Sequence, residues 1–150
     1  MSKLKIPKHV KTAWIATSAE KETPWGREVL WPAIHRVHGK ILHIRAGNRT
    51  SLKYYSLKNE VLYVLKGTVK VAYGDELSLR DSVAHPFRES ILEEGELLGV
   101  QAGSPYRIEA ITDCQIIEIG ESHTDRPIRI EDDYGRAEQD GGSAHDIEEV

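Results

Sequence analysis

Two glycine-framed spacings constrain this chain more than any other feature. Gly47, Lys53, Tyr55, Glu60 and Gly67 are separated by five, one, four and six residues, and Gly95, Gln101, Gly103, Tyr106 and Ala110 by five, one, two and three. Around them lie short runs rich in Val, Ile, Leu and Tyr, many of them residues that fit a half-buried pleated surface. Leu42 and Ile44 alternate with His43 before the Ala46-Gly47-Asn48 turn, and Val61 to Leu65 runs into Lys66-Gly67. Further β-like runs cover Thr68 to Tyr73, Leu97 to Val100, Tyr106 to Ile111 and Gln115 to Ile119. Many short strands divided by turn signals predict an all-β sandwich or barrel. The runs on either side of Gly67 are expected to pair as a hairpin with the glycine at its corner. Leu77 to Leu92 is the best helix candidate, but Pro86 interrupts it, so it reads as an irregular excursion with at most one helical turn.

With 150 residues, the chain suits one domain with a full core. Its formal charge of −4 argues against a nucleic-acid surface, which needs a basic stripe. Lys3, Lys5, Lys8 and Lys11 are a local exception, read as a short solvated arm, with a phosphate or lipid contact as the other reading. No apolar run approaches the roughly 18 residues of a membrane span, and a cytoplasmic protein is expected. Cys114 is the single cysteine, so no internal disulfide can form, and its strand-like setting reads as a packing position. Residues 137–150 carry five acidic residues, no Lys or Arg and the pair Gly141-Gly142, which predicts a flexible acidic tail. The expected organisation is an arm over 1–20, a β domain over 21–136 and the tail beyond.

The two spacings match G-x5-H-x-H-x4-E-x6-G and G-x5-P-x-G-x2-H-x3-N, the signature motifs of the cupin superfamily. Pro24-Trp25-Gly26, Ser51-Leu52-Lys53 and the run Ile128-Arg129-Ile130-Glu131-Asp132-Asp133-Tyr134-Gly135-Arg136 narrow the likeness. Together they resemble the cupin domain of type II phosphomannose isomerases, often fused behind a mannose-1-phosphate guanylyltransferase. The resemblance implies a cupin double-stranded β-helix, or jelly-roll barrel. It also implies interconversion of mannose 6-phosphate and fructose 6-phosphate on a bound divalent metal. The family's Gln, His, Glu and His ligands correspond here to Lys53, Tyr55, Glu60 and Tyr106.

Only Glu60 is an ordinary ligand in that set. An ammonium cannot coordinate, and a tyrosine must first lose a proton of pKa about 10. No metal and no other cofactor are therefore expected. Lys53 is expected to replace the cation as counter-charge to Glu60, with Tyr55 and Tyr106 hydrogen-bonded around the pair. The other reading is a satisfied polar plug in an unused pocket. If the site is catalytic, Glu60 serves as base, with Lys53 or Arg129 stabilising an enediolate in aldose–ketose isomerisation or sugar epimerisation. Lys58, Arg129 and Arg136 are candidates for holding a phosphate or carboxylate. For the terminal arginines, a surface network with Glu131, Asp132 and Asp133 is the alternative.

The expected function is thus that of a phosphomannose-isomerase-like cupin acting on or binding a sugar phosphate or nucleotide sugar. The alternative is a non-catalytic carbohydrate-binding or regulatory cupin. The expected partner is a small anionic carbohydrate, with neither nucleic acid nor membrane, and a homodimer is expected because an N-terminal segment with Trp14, Trp25 and Trp31 needs cover. These tryptophans are expected on the barrel's outer surface. His43 should face outward, and His35 with His38 is too sparse a pair to define a metal site.

Overall fold

The computed structural model describes residues 11–121 and 126–137. Most of the lysine-rich arm, His9, His123, His145 and nearly all of the acidic tail lie outside the described residues. Eleven strands follow in order: β1 Ala19–Thr23, β2 Gly26–Leu30, β3 Val37–Ile44, β4 Leu52–Tyr54, β5 Glu60–Lys66, β6 Val69–Tyr73, β7 Arg88–Leu92, β8 Leu97–Val100, β9 Tyr106–Ala110, β10 Cys114–Glu121 and β11 Ile128–Glu131. They form two antiparallel sheets, one ordered β1-β2-β3-β10-β5-β8 and the other β11-β4-β9-β6-β7. Two packed sheets are what the strand-and-turn pattern implied, and their order is that of the jelly roll the resemblance implied. No helix among the described residues is long and apolar enough to cross a membrane.

The hairpin expected around Gly67 does not form. β5 pairs with β10 and β8, whereas β6 pairs with β7 and β9, so the chain crosses from one sheet to the other at Gly67. Gly67 has φ 87°, and a Cβ there would lie 2.5 Å from the Asp113 carbonyl oxygen, so no side chain fits the crossing. The excursion after Tyr73 is partly regular. Asp75 caps a single 3₁₀ turn over Glu76–Leu79 through the Leu77 and Ser78 amides, as the one-turn expectation allowed. Beyond Pro86 the chain returns as β7, so Arg88–Leu92 is a regular strand and not part of the irregular excursion expected over Leu77 to Leu92.

Alternation along each strand fills the space between the sheets. Leu42, Ile44, Leu62, Val64, Val69, Val71, Ile108, Ala110 and Ile116 form the core, and Cys114 packs with them. Burial pushes the Cys114 thiol up to about 11, consistent with a packing role. Trp25 also belongs to this core, 4% exposed, which corrects the expectation that all three tryptophans lie outside. Trp25 sits in the β1–β2 turn, and its carbonyl accepts from the Arg45 amide, which pins the turn to the end of β3. Trp31 stays outside, at 38% exposure, beside Gly39. Val61, Tyr63, Leu97 and Ile119 leave apolar area on the outer face of the six-stranded sheet.

Candidate functional site

The register of the five-stranded sheet puts Arg129, Lys53, Tyr106, Tyr73 and Arg88 side by side on β11, β4, β9, β6 and β7. Cross-strand partners share a face, and the burial of Tyr106 identifies this face as the inner one. On the opposite sheet, Lys40, Glu118 and Leu62 are partners on β3, β10 and β5, and His38, Gly120 and Glu60 form the next row. The two inner faces therefore bring Lys53, Tyr106 and Arg129 toward Lys40, Glu118 and Glu60.

A chain of polar contacts runs through this space. Glu28 lies 2.9 Å from Lys40, Lys40 lies 3.7 Å from Glu118, and Lys58 lies 3.2 Å from Glu118 and 3.0 Å from Glu60 Oε2. The Tyr106 hydroxyl donates to Glu60 Oε1, tying β9 in one sheet to β5 in the other. Lys58 also stands 4.6 Å from the centre of the Tyr55 ring, a cation–π contact. Glu60 Oε2 receives no hydrogen bond of good geometry, so Lys58 holds it as an ion pair. With the Glu60 side chain at 0% exposure, such pairing is what makes its burial tolerable.

Lys58, not Lys53, is thus the counter-charge of Glu60. The sequence reading gave that role to Lys53 and placed Lys58 on an anionic ligand. The Lys58–Glu60 pairing has a local cause at Gly120. A Cβ there would come within 2.9 Å of Lys58 Cε and 3.2 Å of Glu60 Cβ, so the missing side chain opens the path of the lysine stem. Glu118, Lys40 and Glu28 were not singled out from the sequence. Lys40 could have been, because it stands in phase with inward Leu42 and Ile44. Glu118 could not, because apolar residues occupy both phases of Cys114–Ile119 and leave the inward one undecided.

Lys53 lies apart from this network. Among the described residues, no carboxylate comes within 4 Å of its ammonium, which stands 5.7 Å from the centroid of the Tyr106 ring. The residue is half-buried, and its ammonium stands on the inner face crowded by protein atoms. Desolvation therefore dominates and, with repulsion from Lys40, lowers its pKa to about 8 against the pull of Glu118 and Glu60. Burial would raise Glu118 too, but Lys40, Lys58 and Lys53 outweigh it and hold this carboxyl below its ordinary value. Glu60 goes the other way, raised by burial and by Glu118. Burial and the nearby carboxylates raise Tyr55 and Tyr106, so both remain phenols.

The terminal arginines separate. Arg129 is the cross-strand partner of Lys53 on the inner face. Arg136 donates from Nε at 3.0 Å and from Nη2 at 2.9 Å to Asp132, in the carboxylate network weighed as its alternative. Glu131 and Asp133 belong to the same surface, where they pair with Arg107 and Arg49.

These residues do not fit a divalent cation. The one carboxylate among the four positions already faces an ammonium, both tyrosines are held protonated, and Lys53 has no lone pair to offer while charged. Among the described residues, no three His, Cys, Asp or Glu side chains converge as a metal group. His38 lies close enough for Lys58 to help depress it, after burial. A groove of about 740 Å³, lined in part by Arg36, Asn59, Glu60, Gln101 and Glu121, reaches the network at Glu60. A cavity of about 230 Å³ among Tyr73, Asp75, Leu98, Ser104, Pro105 and Tyr106 reaches it at the other end.

No protein-family model matches this chain, and no curated protein matches it in sequence. Solved structures match in fold. KdgF from Halomonas sp. superposes with a TM-score of 0.58 at 11% identity, over 70% of this chain and 86% of its own. The oxalate decarboxylase of Lactobacillus farciminis, in a formate complex, gives 0.57 at 16% identity, over 70% of this chain and 30% of its own. The capsular polysaccharide assembling protein CapF of Staphylococcus aureus gives 0.56 at 14% identity, over 81% and 31%. This chain spans less than a third of the last two. The architecture is a cupin jelly roll.

Proposed function

We propose that the barrel interior binds a small anionic carbohydrate, a sugar phosphate or a nucleotide sugar, at Lys53 with Arg129 beside it. One observation carries the reading. Among the described residues, Lys40 and Lys58 each lie within 4 Å of a buried carboxylate, and Lys53 does not. A deep ammonium without a carboxylate is unfavourable until an anion arrives. The phosphomannose-isomerase-like motif spacing supplies the sugar-phosphate part of the proposal, and the likeness to a capsular polysaccharide assembling protein is compatible with a carbohydrate ligand. The test is calorimetric titration with mannose 6-phosphate, fructose 6-phosphate and nucleotide sugars, in wild type and in Lys53→Met. Binding that survives Lys53→Met unchanged removes the proposal.

A second reading is catalysis of aldose–ketose isomerisation, favoured by the Glu60–Tyr106 contact beside Lys53. Burial and the neighbouring Glu118 raise the Glu60 carboxyl above its ordinary value, the direction a general base needs. Both of its oxygens are nevertheless engaged, by Tyr106 and Lys58, which makes binding the better supported of the two. Exchange of the C2 proton of mannose 6-phosphate into deuterated solvent, followed by NMR, decides between them. No exchange at high protein concentration leaves binding alone. Two copies paired through the apolar outer face of the six-stranded sheet complete the proposal, and light scattering that reports about 17 kDa at every concentration rejects that pairing.

A further inference from the structure

We infer that Lys53 is a covalent site, whose amine condenses with the carbonyl of a small open-chain aldose phosphate to form an imine. This rests on the anionic-carbohydrate reading and goes beyond it, because a binding lysine stays charged whereas a condensing one gives up its proton and forms a bond.

Three observations lead there. The first is the difference among the interior lysines. Lys40 and Lys58 are held in ion pairs, and a paired ammonium is no nucleophile. Lys53 has no such pair among the described residues and faces the Tyr106 ring. The second is the setting. Arg129 is its cross-strand partner on β11, and burial together with repulsion from Lys40 outweighs the attraction of Glu118, Glu60 and Glu28. A second cation and a desolvated site are the two means by which proteins make a lysine amine available. The third is room beside it. Tyr106, the ring that Lys53 faces, lines a cavity of about 230 Å³ together with Tyr73, and Lys53 itself stands behind that wall.

The step balances without an oxidant or reductant. The neutral Nζ attacks the aldehyde carbon, and the C=O π pair moves to oxygen, which takes a proton to give a carbinolamine. Loss of that hydroxyl as water, with the remaining amine protons leaving to solvent, forms the C=N bond. The charged and titratable groups around Lys53 are Tyr106, Arg129, Lys40, Glu118, Glu60 and Glu28. The depressed pKa of about 8 supports the inference, since an appreciable fraction of the amine is neutral near physiological pH.

The test treats the full chain with erythrose 4-phosphate and cyanoborohydride, which reduces any imine to a stable secondary amine located by peptide mass spectrometry. Labelling of Lys53 at pH 8 should exceed that of exposed Lys21 and Lys66 at least tenfold, rise with pH about a midpoint near 8, and vanish from this position in Lys53→Arg with the melting temperature retained. Label spread evenly over the lysines, or weaker at Lys53 than at Lys21, overturns the inference. Erythronate 4-phosphate, which has the anion but no aldehyde, separates the two claims by calorimetry. If it binds and Lys53 stays unlabelled, the covalent site falls and anion binding stands. If Lys53 is labelled and erythronate 4-phosphate does not bind, the covalent site stands and anion recognition falls.

Discussion

The inner faces of the two sheets solve the same problem in opposite ways. On the six-stranded sheet, Glu28, Lys40, Glu118 and Glu60 are stitched into one ladder, with Lys58 reaching in from the loop before β5. On the five-stranded sheet, the inner row pairs Arg129 with Lys53 and follows them with phenols. The first face pairs its charges internally, three carboxylates against two ammoniums. The second brings Lys53 to the same space with no carboxylate within 4 Å among the described residues, and its Tyr106 donates to Glu60. A buried ion pair adds little net stability but is costly to break, so the closed face is structural in character. The open face has a reason to take a ligand.

Breaking the closed face should have the largest effect. Lys58→Met leaves Glu60 and Glu118 buried without their shared cation, and a loss of about 3–5 kcal/mol in urea denaturation is expected. A loss below 1 kcal/mol would mean that the ladder is not what holds these carboxylates.

The open face should respond with the opposite sign. Lys53 has a folded pKa of about 8 against its ordinary 10.5. Below pH 8 it is charged both folded and unfolded, and the whole cost of burial weighs on the folded state. From pH 8 to 10.5 the folded protein sheds the proton first, so stability rises. Lys53→Met should therefore be no less stable than wild type at pH 7, and should lack a rise on the order of 2–3 kcal/mol across that window. Cys114, held up at about 11, lowers stability as pH climbs above its ordinary 9.0, but it does so in both proteins and cancels in their difference. Equal pH slopes for the two proteins would contradict the charge assignment.

Gly120→Ala tests the joint between the two faces. The added methyl crowds the Lys58 stem and the Glu60 Cβ, and a loss of about 1–3 kcal/mol is expected, as for other overpacked positions. Arg136→Ala strips both guanidinium bonds from the Asp132 side chain, which is 0% exposed, so a loss of about 1–3 kcal/mol is expected, with sugar-phosphate affinity unchanged. A tenfold fall in affinity would move Arg136 from the surface network into the site.

The sequence carried the architecture because glycines report backbone shape directly. Gly47, Gly67, Gly95 and Gly103, the motif glycines, have φ of 82, 87, 89 and 85°, a region that other residues rarely enter. The side-chain pairing was less legible. Lys53 and Lys58 are both polar residues a few positions before Glu60, and only three-dimensional packing shows which one reaches it. That packing depends on the bare Cα of Gly120, on a strand sixty residues away. Sheet pairing at Gly67 was lost for a related reason. A glycine with positive φ serves a hairpin and a crossing between sheets equally well, and the partners that decide between them, β10 and β9, come much later in the chain.

The open face rests on the slightest strands of the barrel. β4 has three residues and β11 four, and their ladder is interrupted by an irregular register between Arg129 and Glu131. Short, irregular pairing unzips at lower free energy than long ladders do. The wall carrying Lys53 should therefore breathe while β3 and β10 stay shut, and its amide protons should trade with deuterium first. An occupant too large for the mouth at Tyr106 would then have a side entrance.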